Sequence, residues 1–249
     1  MLVLVTGATS GFGAAIARRF AHEGHRLIVT GRRTERLAAL ERELGAAVGQ
    51  ALALDVRDQV AVAQAIAGLP PELAAIDVLA NNAGLARGLE PAQRASLDDW
   101  NEMVDTNVKG LLAMTRAVLP GMVARNRGHV VNIGSTAGRW PYPGANVYGA
   151  TKAFVEQFSL NLRSDLSGTK VRVTLIAPGM AGGTEFSNIR FHGDDARAAK
   201  VYEGVEPLTA DDVAETVHWV TTLPPRVNVN TLELMPVAQA YAGLSVSRG

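Results

Sequence analysis

Short, nearly unbroken apolar runs alternate along the chain with longer stretches of helical period. The apolar runs are Leu2–Thr6, Arg26–Thr30, Ala51–Asp55, Val78–Asn81, His129–Ile133, Arg172–Ile176 and Thr231–Met235. Several are almost continuous Val, Leu and Ile, the pattern of strands covered on both faces. Between them, helical spacing predicts helices near 12–23, 34–44, 57–68, 98–125, 147–166 and 210–222. This alternation predicts an α/β fold: one domain over residues 1–249, with a doubly wound parallel sheet of about seven strands and helices on both faces. The one long irregular stretch, about 180–208, carries Gly182-Gly183, Gly193-Asp194-Asp195 and Gly204. Its length suits a substrate lid, with a variable insertion as the alternative. The 147–166 helix is apolar on more than one side (Phe154, Val155, Phe158, Leu160, Leu162, Leu166), and 98–125 is similarly broad. One face covers the sheet, which leaves another for a partner.

Composition narrows the function classes. Lys plus Arg number 24 and Asp plus Glu 24, so no global charge draws the chain to nucleic acid or an anionic membrane. The lack of cysteine excludes disulfides, thiolate nucleophiles, zinc–thiolate sites and iron–sulfur clusters, and requires no oxidising compartment. At 47% hydrophobic residues the chain is too apolar for disorder. No run is long enough to span a bilayer, and the apolar start ends at Thr6-Gly7, too soon for a secretory signal. A cytoplasmic location is the expectation. The five histidines show no metal-binding spacing, so no catalytic metal is expected.

Candidate chemistry begins at Thr6-Gly7-Ala8-Thr9-Ser10-Gly11-Phe12-Gly13, between the first strand and the first helix. Gly7 allows a sharp turn. Gly11 and Gly13 remove side chains where backbone must approach a pyrophosphate, and the helix N-terminus offers free N–H groups. The second strand ends in Gly31-Arg32-Arg33, where a site selective for NAD places a carboxylate on the ribose 2′-OH. Two guanidiniums suit a 2′-phosphate instead, which predicts NADP(H). Tyr148 and Lys152 share one helix face. A free phenol titrates near pH 10, and bringing it close to neutrality requires roughly 3–4 kcal/mol of preferential stabilisation of the phenolate. Lys152 and an oxidised nicotinamide are the two sources of that charge. Ser135 follows the His129–Ile133 strand and Asn81-Asn82-Ala83-Gly84 follows another, so both fall on the sheet edge where ligands bind. Taken alone, Ser135 also reads as a turn serine, and Asn107, an amide in an apolar helix, as a local backbone partner.

Thr6-Gly7-xxx-Gly11-x-Gly13, Asn81-Asn82-Ala83-Gly84, Asn107, Ser135, Tyr148-xxx-Lys152 and Pro178-Gly179 stand in the order and spacing of the short-chain dehydrogenase/reductases, and the resemblance covers essentially the whole chain. Within that family the chain is most similar to the NADP-dependent 3-hydroxy acid dehydrogenases, also described as serine or L-allo-threonine dehydrogenases. Thr30-Gly31-Arg32-Arg33, Gly134–Gly138, Asn146–Lys152 and Gly182–Phe186 carry that likeness.

The resemblance implies a Rossmann fold and a reversible NADP(H)-dependent oxidoreductase. Tyr148 would be the acid/base, Lys152 would lower its pKa and bind the nicotinamide ribose, and Ser135 would orient the substrate carbonyl. Asn107 would kink its helix and hold a water leading from Lys152. The cofactor would contact Gly7, Thr9, Ser10, Gly11, Phe12 and Gly13 of the turn, Arg32, Arg33, Asp55, Val56, Asn82, Ala83 and Gly84. It would also meet Pro178, Gly179, Ala181 and Thr184. Ala181 departs from the family, which often has a β-branched residue there. A hydroxy acid needs its carboxylate held; of Arg87, Arg139, Arg190 and Arg197, Arg190 is favoured because it follows Phe186 in the lid. Trp140 and Tyr142 would wall the pocket, or simply pack. The resemblance also implies a homotetramer. Alternatives are a 3-oxoacyl thioester reductase, a broad carbonyl reductase, or a non-catalytic NADP(H)-binding regulator.

Overall fold

A computed structural model describes residues 1–241. Seven parallel strands form one sheet in the order β3-β2-β1-β4-β5-β6-β7. They are β1 Leu2–Val5, β2 Arg26–Gly31, β3 Val48–Ala53, β4 Val78–Asn81, β5 Gly128–Ile133, β6 Val171–Pro178 and β7 Thr231–Leu234. The helices among the described residues are α1 Gly11–His22, α2 Thr34–Leu44, α3 Gln59–Ala67, α4 Leu97–Val104, α5 Leu111–Ala124, α6 Asn146–Asp165, α7 Phe186–Arg190, α8 Asp195–Lys200 and α9 Ala210–Thr222.

The period of two along each strand sorts side chains between two cores. Val3 and Val5 share one layer with Ile16 and Phe20 of α1, Leu37 and Leu40 of α2, and Val217 and Val220 of α9. Leu2 and Leu4 share the other with Val62 of α3, Met114, Val118 and Met122 of α5, and Leu162 of α6. Burying each large apolar side chain contributes about 1.5–3 kcal/mol. A helix cap such as the Thr209–Asp212 box that opens α9 contributes about 1 kcal/mol, so caps set helix ends while the two layers hold helices to sheet.

Three expectations need correction. The third strand spans Val48–Ala53 rather than Ala51–Asp55. Its pairing with β2, from Leu27↔Val48 to Gly31↔Ala53, sets its limits although Gly49 and Gln50 are not apolar, and Asp55 falls beyond it. The expected single helix over 98–125 is broken: α4 passes through a π-helical segment, Asp105–Gly110, before α5. Finally, the 180–208 stretch is not wholly irregular, since it holds α7 and α8.

The chain runs outward from β1 to β3, then returns to β4 on the other side of β1. That reversal opens a crevice beyond the carboxyl ends of β1 and β4, the place where such sheets bind ligands. Among the described residues no helix is long and apolar enough to cross a membrane.

Candidate active site

A cavity of about 770 Å³ runs along this carboxyl edge, roofed by the segment that follows β6. The Gly-rich turn forms one end. Gly7 and Gly11 have φ of +66° and +51°, left-handed conformations that glycine adopts without steric cost. Gly13 serves a different purpose: a Cβ there would lie 2.3 Å from the Gly7 carbonyl oxygen and 2.5 Å from Asn82 Nδ2. It lets α1 pack against the turn and does not itself line the cavity. Ser10, the N-cap of α1, makes no side-chain cap, and the first turn carries no acid. The N–H groups and positive end of α1 are therefore free for an anion.

Asn82 ties this turn to the end of β4. Its Nδ2 donates to the Thr6 carbonyl at 2.9 Å, while Thr6 Oγ1 accepts from the Asn82 and Ala83 amides at 3.0 and 2.9 Å. Arg32, Arg33, Asp55 and Val56 line the adjoining part of the cavity. Arg32 lies 3.9 Å from Asp55. Arg33 is more heavily engaged, donating to Ser10 Oγ at 2.7 Å and to Glu185 at 2.8 Å, with Thr9 Oγ1 at 3.4 Å.

The other end is built by α6 against the turn after β5. A Cβ at Gly138 would stand 2.8 Å from the Lys152 carbonyl carbon, so glycine there lets α6 approach closely. Tyr148, Lys152 and Ser135 thereby share the cavity wall. Ser135 is also a capping serine, with Oγ accepting from the Ala137 amide at 3.1 Å, so it makes the turn contact and lines the cavity as well. Lys152 Nζ donates to the Ile133 carbonyl at 2.9 Å and lies 5.9 Å from the Tyr148 ring centroid. Burial governs both ionisations: it pushes the Tyr148 phenol up to about 12 and the Lys152 ammonium down to about 8. The Ser135 hydroxyl and the Arg190 charge favour the phenolate but offset burial only in part.

Asn107 stands behind the cavity, in the π-helical segment. Its Oδ1 accepts from the Leu85 amide at 2.9 Å, and its Nδ2 donates to the Leu85 carbonyl at 2.8 Å and to Thr151 Oγ1 at 3.0 Å. The amide thus joins the loop after β4 to α6, one residue from Lys152. Such π turns recur at functional sites because they re-aim side chains within a helix.

Of the four arginines, Arg190 stands nearest the phenol. Its guanidinium carbon is 5.0 Å from the Tyr148 and Phe186 ring centroids, and Nη2 donates to the Tyr142 hydroxyl at 2.9 Å. Its Nε is buried without a partner among the described residues. Arg87 is held by Glu102 and the Ile189 carbonyl, and Arg139 by Glu156. Arg197 packs over Phe191 and does not reach the cavity. Trp140 and Tyr142 both line it; Trp140 packs against Tyr241, with ring centroids 4.2 Å apart.

Pro178, Gly179, Ala181 and Thr184 line the remaining edge, with Ala181 bridged to Leu208. The sequence reading missed Met235, Gln239 and Tyr241, which close the cavity from the far end of the chain. Gln239 Oε1 accepts from the Met180 amide at 2.7 Å. No motif marks these residues; the only available signal was their place at the end of the last strand or just beyond it.

A family model described as short chain dehydrogenase matches residues 1–193. The chain is 65% identical over 248 residues to the NADP-dependent 3-hydroxy acid dehydrogenase YdfG of Salmonella typhi, covering 100% of both chains. It is 53% identical to the serine 3-dehydrogenase of Rhizobium radiobacter, over 99% of this chain and 98% of that one. Among solved structures, the closed form of serine dehydrogenase complexed with NADP+ superposes with a TM-score of 0.98 at 63% identity, with both chains fully covered.

Proposed function

The chain belongs to the short-chain dehydrogenase family, and from that membership we propose an NADP(H)-dependent oxidoreductase that interconverts small 3-hydroxy acids and their 3-oxo products. The substrates are of the serine, L-allo-threonine, 3-hydroxyisobutyrate or 3-hydroxypropionate type. The observation that carries the substrate class is Arg190. A partly buried guanidinium with an unpartnered Nε, 5.0 Å from the phenol ring, is a ready partner for a carboxylate. Relatives named for 3-hydroxy acid and serine dehydrogenation support the same reading.

The donor set of the cleft fits the cofactor. The uncapped, acid-free start of α1 suits a pyrophosphate, and Arg32 and Arg33 at the end of β2 suit a 2′-phosphate. When bound, NADP(H) would supply the hydride and, in its oxidised form, a positive charge that favours the phenolate. Tyr148 holds its proton firmly at neutral pH, which is the state that protonates a carbonyl oxygen during reduction. In oxidation the phenolate must take the hydroxyl proton, and Lys152 stands ready to stabilise that anion. Ser135 orients the reacting oxygen by hydrogen bonding. Asn107 fixes the loop after β4 against α6. Trp140 and Tyr142 wall the substrate end, and the 180–208 segment serves as its lid.

A homotetramer and a cytoplasmic location complete the proposal. The apolar side chains of Phe154 and Leu160, exposed on α6, support assembly, and a single monomer peak in light scattering would exclude it. The deciding experiment is a panel of serine, L-allo-threonine, 3-hydroxyisobutyrate, acetoacetyl thioester and an uncharged alcohol, each with NADP and NAD. NADP-linked turnover of the hydroxy acids is expected. A preference for the thioester would move the substrate class, and tight NADPH binding without any turnover would overturn the enzyme reading.

A further inference from the structure

The proton chemistry assigned to Ser135, Tyr148 and Lys152 makes no use of Glu185, the residue that opens α7. Its Oε2 accepts from Arg33 Nη1 at 2.8 Å and from Arg36 Nη1 at 2.7 Å, across about 150 residues of sequence. Arg36 lies in the first turn of α2, where a cation opposes the helix dipole and gains most from an acidic partner. Arg33 has its whole fork in use: one side binds Ser10 and Thr9 of the Gly-rich turn, and the other binds Glu185. Next to Glu185, Thr184 packs over the same turn, so close that a Cβ on Gly11 would meet Thr184 Cβ at 3.4 Å. Hydrogen bonds from Arg36 and Arg33, working against burial, hold the Glu185 carboxyl down at about 2, so it is ionised at neutral pH.

We propose that Glu185 is a latch residue: gripped by Arg33 and Arg36, it clamps the root of the 180–208 segment onto the Gly-rich turn and so retains the bound dinucleotide. This rests on the reading of the cleft as a dinucleotide site. A dinucleotide lying between the Gly-rich turn and the segment after β6 cannot leave until these two walls part. The ion pairs span that gap. Arg33 is then a positioning residue that couples turn to lid, and Arg32, whose nearest carboxylate oxygen is 3.9 Å away, is the freer cation for the 2′-phosphate. Glu185 takes no part in proton or hydride transfer.

The test follows NADPH release by stopped-flow fluorescence from the full-length protein and from Glu185→Gln, Arg36→Ala and the double variant. These pairs are partly exposed, so each is modest, and release should speed up by about two- to fivefold in either single variant. The double variant should release no faster than Glu185→Gln alone, because that substitution already removes the carboxylate that Arg36 binds. Unchanged release in both single variants, or effects that multiply in the double variant, would overturn the latch. If Glu185→Gln fails to fold, Arg36→Ala decides alone, since that side chain does not line the cavity. Should the wild type bind NADH as tightly as NADPH, the cofactor reading falls while the latch is judged on NADH release. Binding of neither removes both.

Discussion

Gly13→Ala sets two effects of opposite sign against each other. Gly13 is in the first turn of α1, and alanine in a helix interior is favoured over glycine by about 0.5–1 kcal/mol. The new Cβ, however, would lie 2.3 Å from the Gly7 carbonyl oxygen and 2.5 Å from Asn82 Nδ2. Ordinary carbon–oxygen contacts start near 3.3 Å, so α1 must retreat by about 1 Å. Neither neighbour yields cheaply: one is backbone, and the other is an amide bonded to Thr6. Overpacking of this kind costs about 1–3 kcal/mol, so the clash wins, and a net loss of about 1–2 kcal/mol is expected. For a chain of this size that lowers Tm by roughly 2–8 °C. The retreat also draws the α1 N-terminus away from the pyrophosphate, so Kd for NADPH should rise about tenfold, the equivalent of about 1.4 kcal/mol. Gly121→Ala in α5 is the control, because its Cβ meets only the flexible end of Arg125 at 3.1 Å. There propensity should prevail and stability should rise by about 0.5–1 kcal/mol. Calorimetry and a fluorescence titration read both variants. A Gly13→Ala protein that melts higher and binds NADPH normally would refute the close-approach reasoning.

Arg190→Ala should raise KM for hydroxy acids by about ten- to a hundredfold, the scale of a lost charged hydrogen bond, and leave uncharged alcohols little changed; equal effects on both would remove the carboxylate role. Tyr148→Phe should cut turnover by about 10²–10⁴-fold while NADPH binding persists, and turnover within tenfold of wild type would dismiss the phenol as the acid/base. His129 is buried on β5, its Nε2 2.8 Å from Thr174 Oγ1, and burial, then the Arg172 charge, push its pKa down to about 3. A depressed pKa means that the unfolded chain binds the proton more readily, so this stability is full above about pH 6.5 and drains as pH falls toward 3. Unfolding free energies from urea titrations between pH 7 and 4 should fall more steeply for the wild type than for His129→Gln, by at most about 1.4 kcal/mol for each pH unit, and parallel curves would exclude His129 as the source.

The local pattern was enough for what depends on local geometry. Runs such as Leu2–Val5 and Val78–Asn81 are short and apolar on both sides, which leaves a covered parallel strand as their only economical placement. The Gly-rich turn and Tyr148-xxx-Lys152 carry their meaning in spacing, because a turn and a helix face each fix which residues are neighbours. The place of Arg32 and Arg33 on the cavity edge was legible for the same reason, since they directly follow a strand. Tertiary contact decided the rest. Asn107 lies in a π-helical turn whose amide bonds the Leu85 backbone, and hydropathy sees only an unbroken apolar helix there. Arg190 was one of four plausible cations until the fold set it 5.0 Å from the phenol and gave Arg139 to Glu156. Glu185 meets Arg33 and Arg36 across about 150 residues, and Met235, Gln239 and Tyr241 reach the cavity only because the chain turns back after β7. The acidity of Tyr148 belongs to the same class: its spacing to Lys152 predicts a lowered pKa, whereas burial, which no sequence interval encodes, drives it up to about 12. Residue order specifies which groups are close along the chain, and the low dielectric and long-range pairing of the folded protein determine what those groups do.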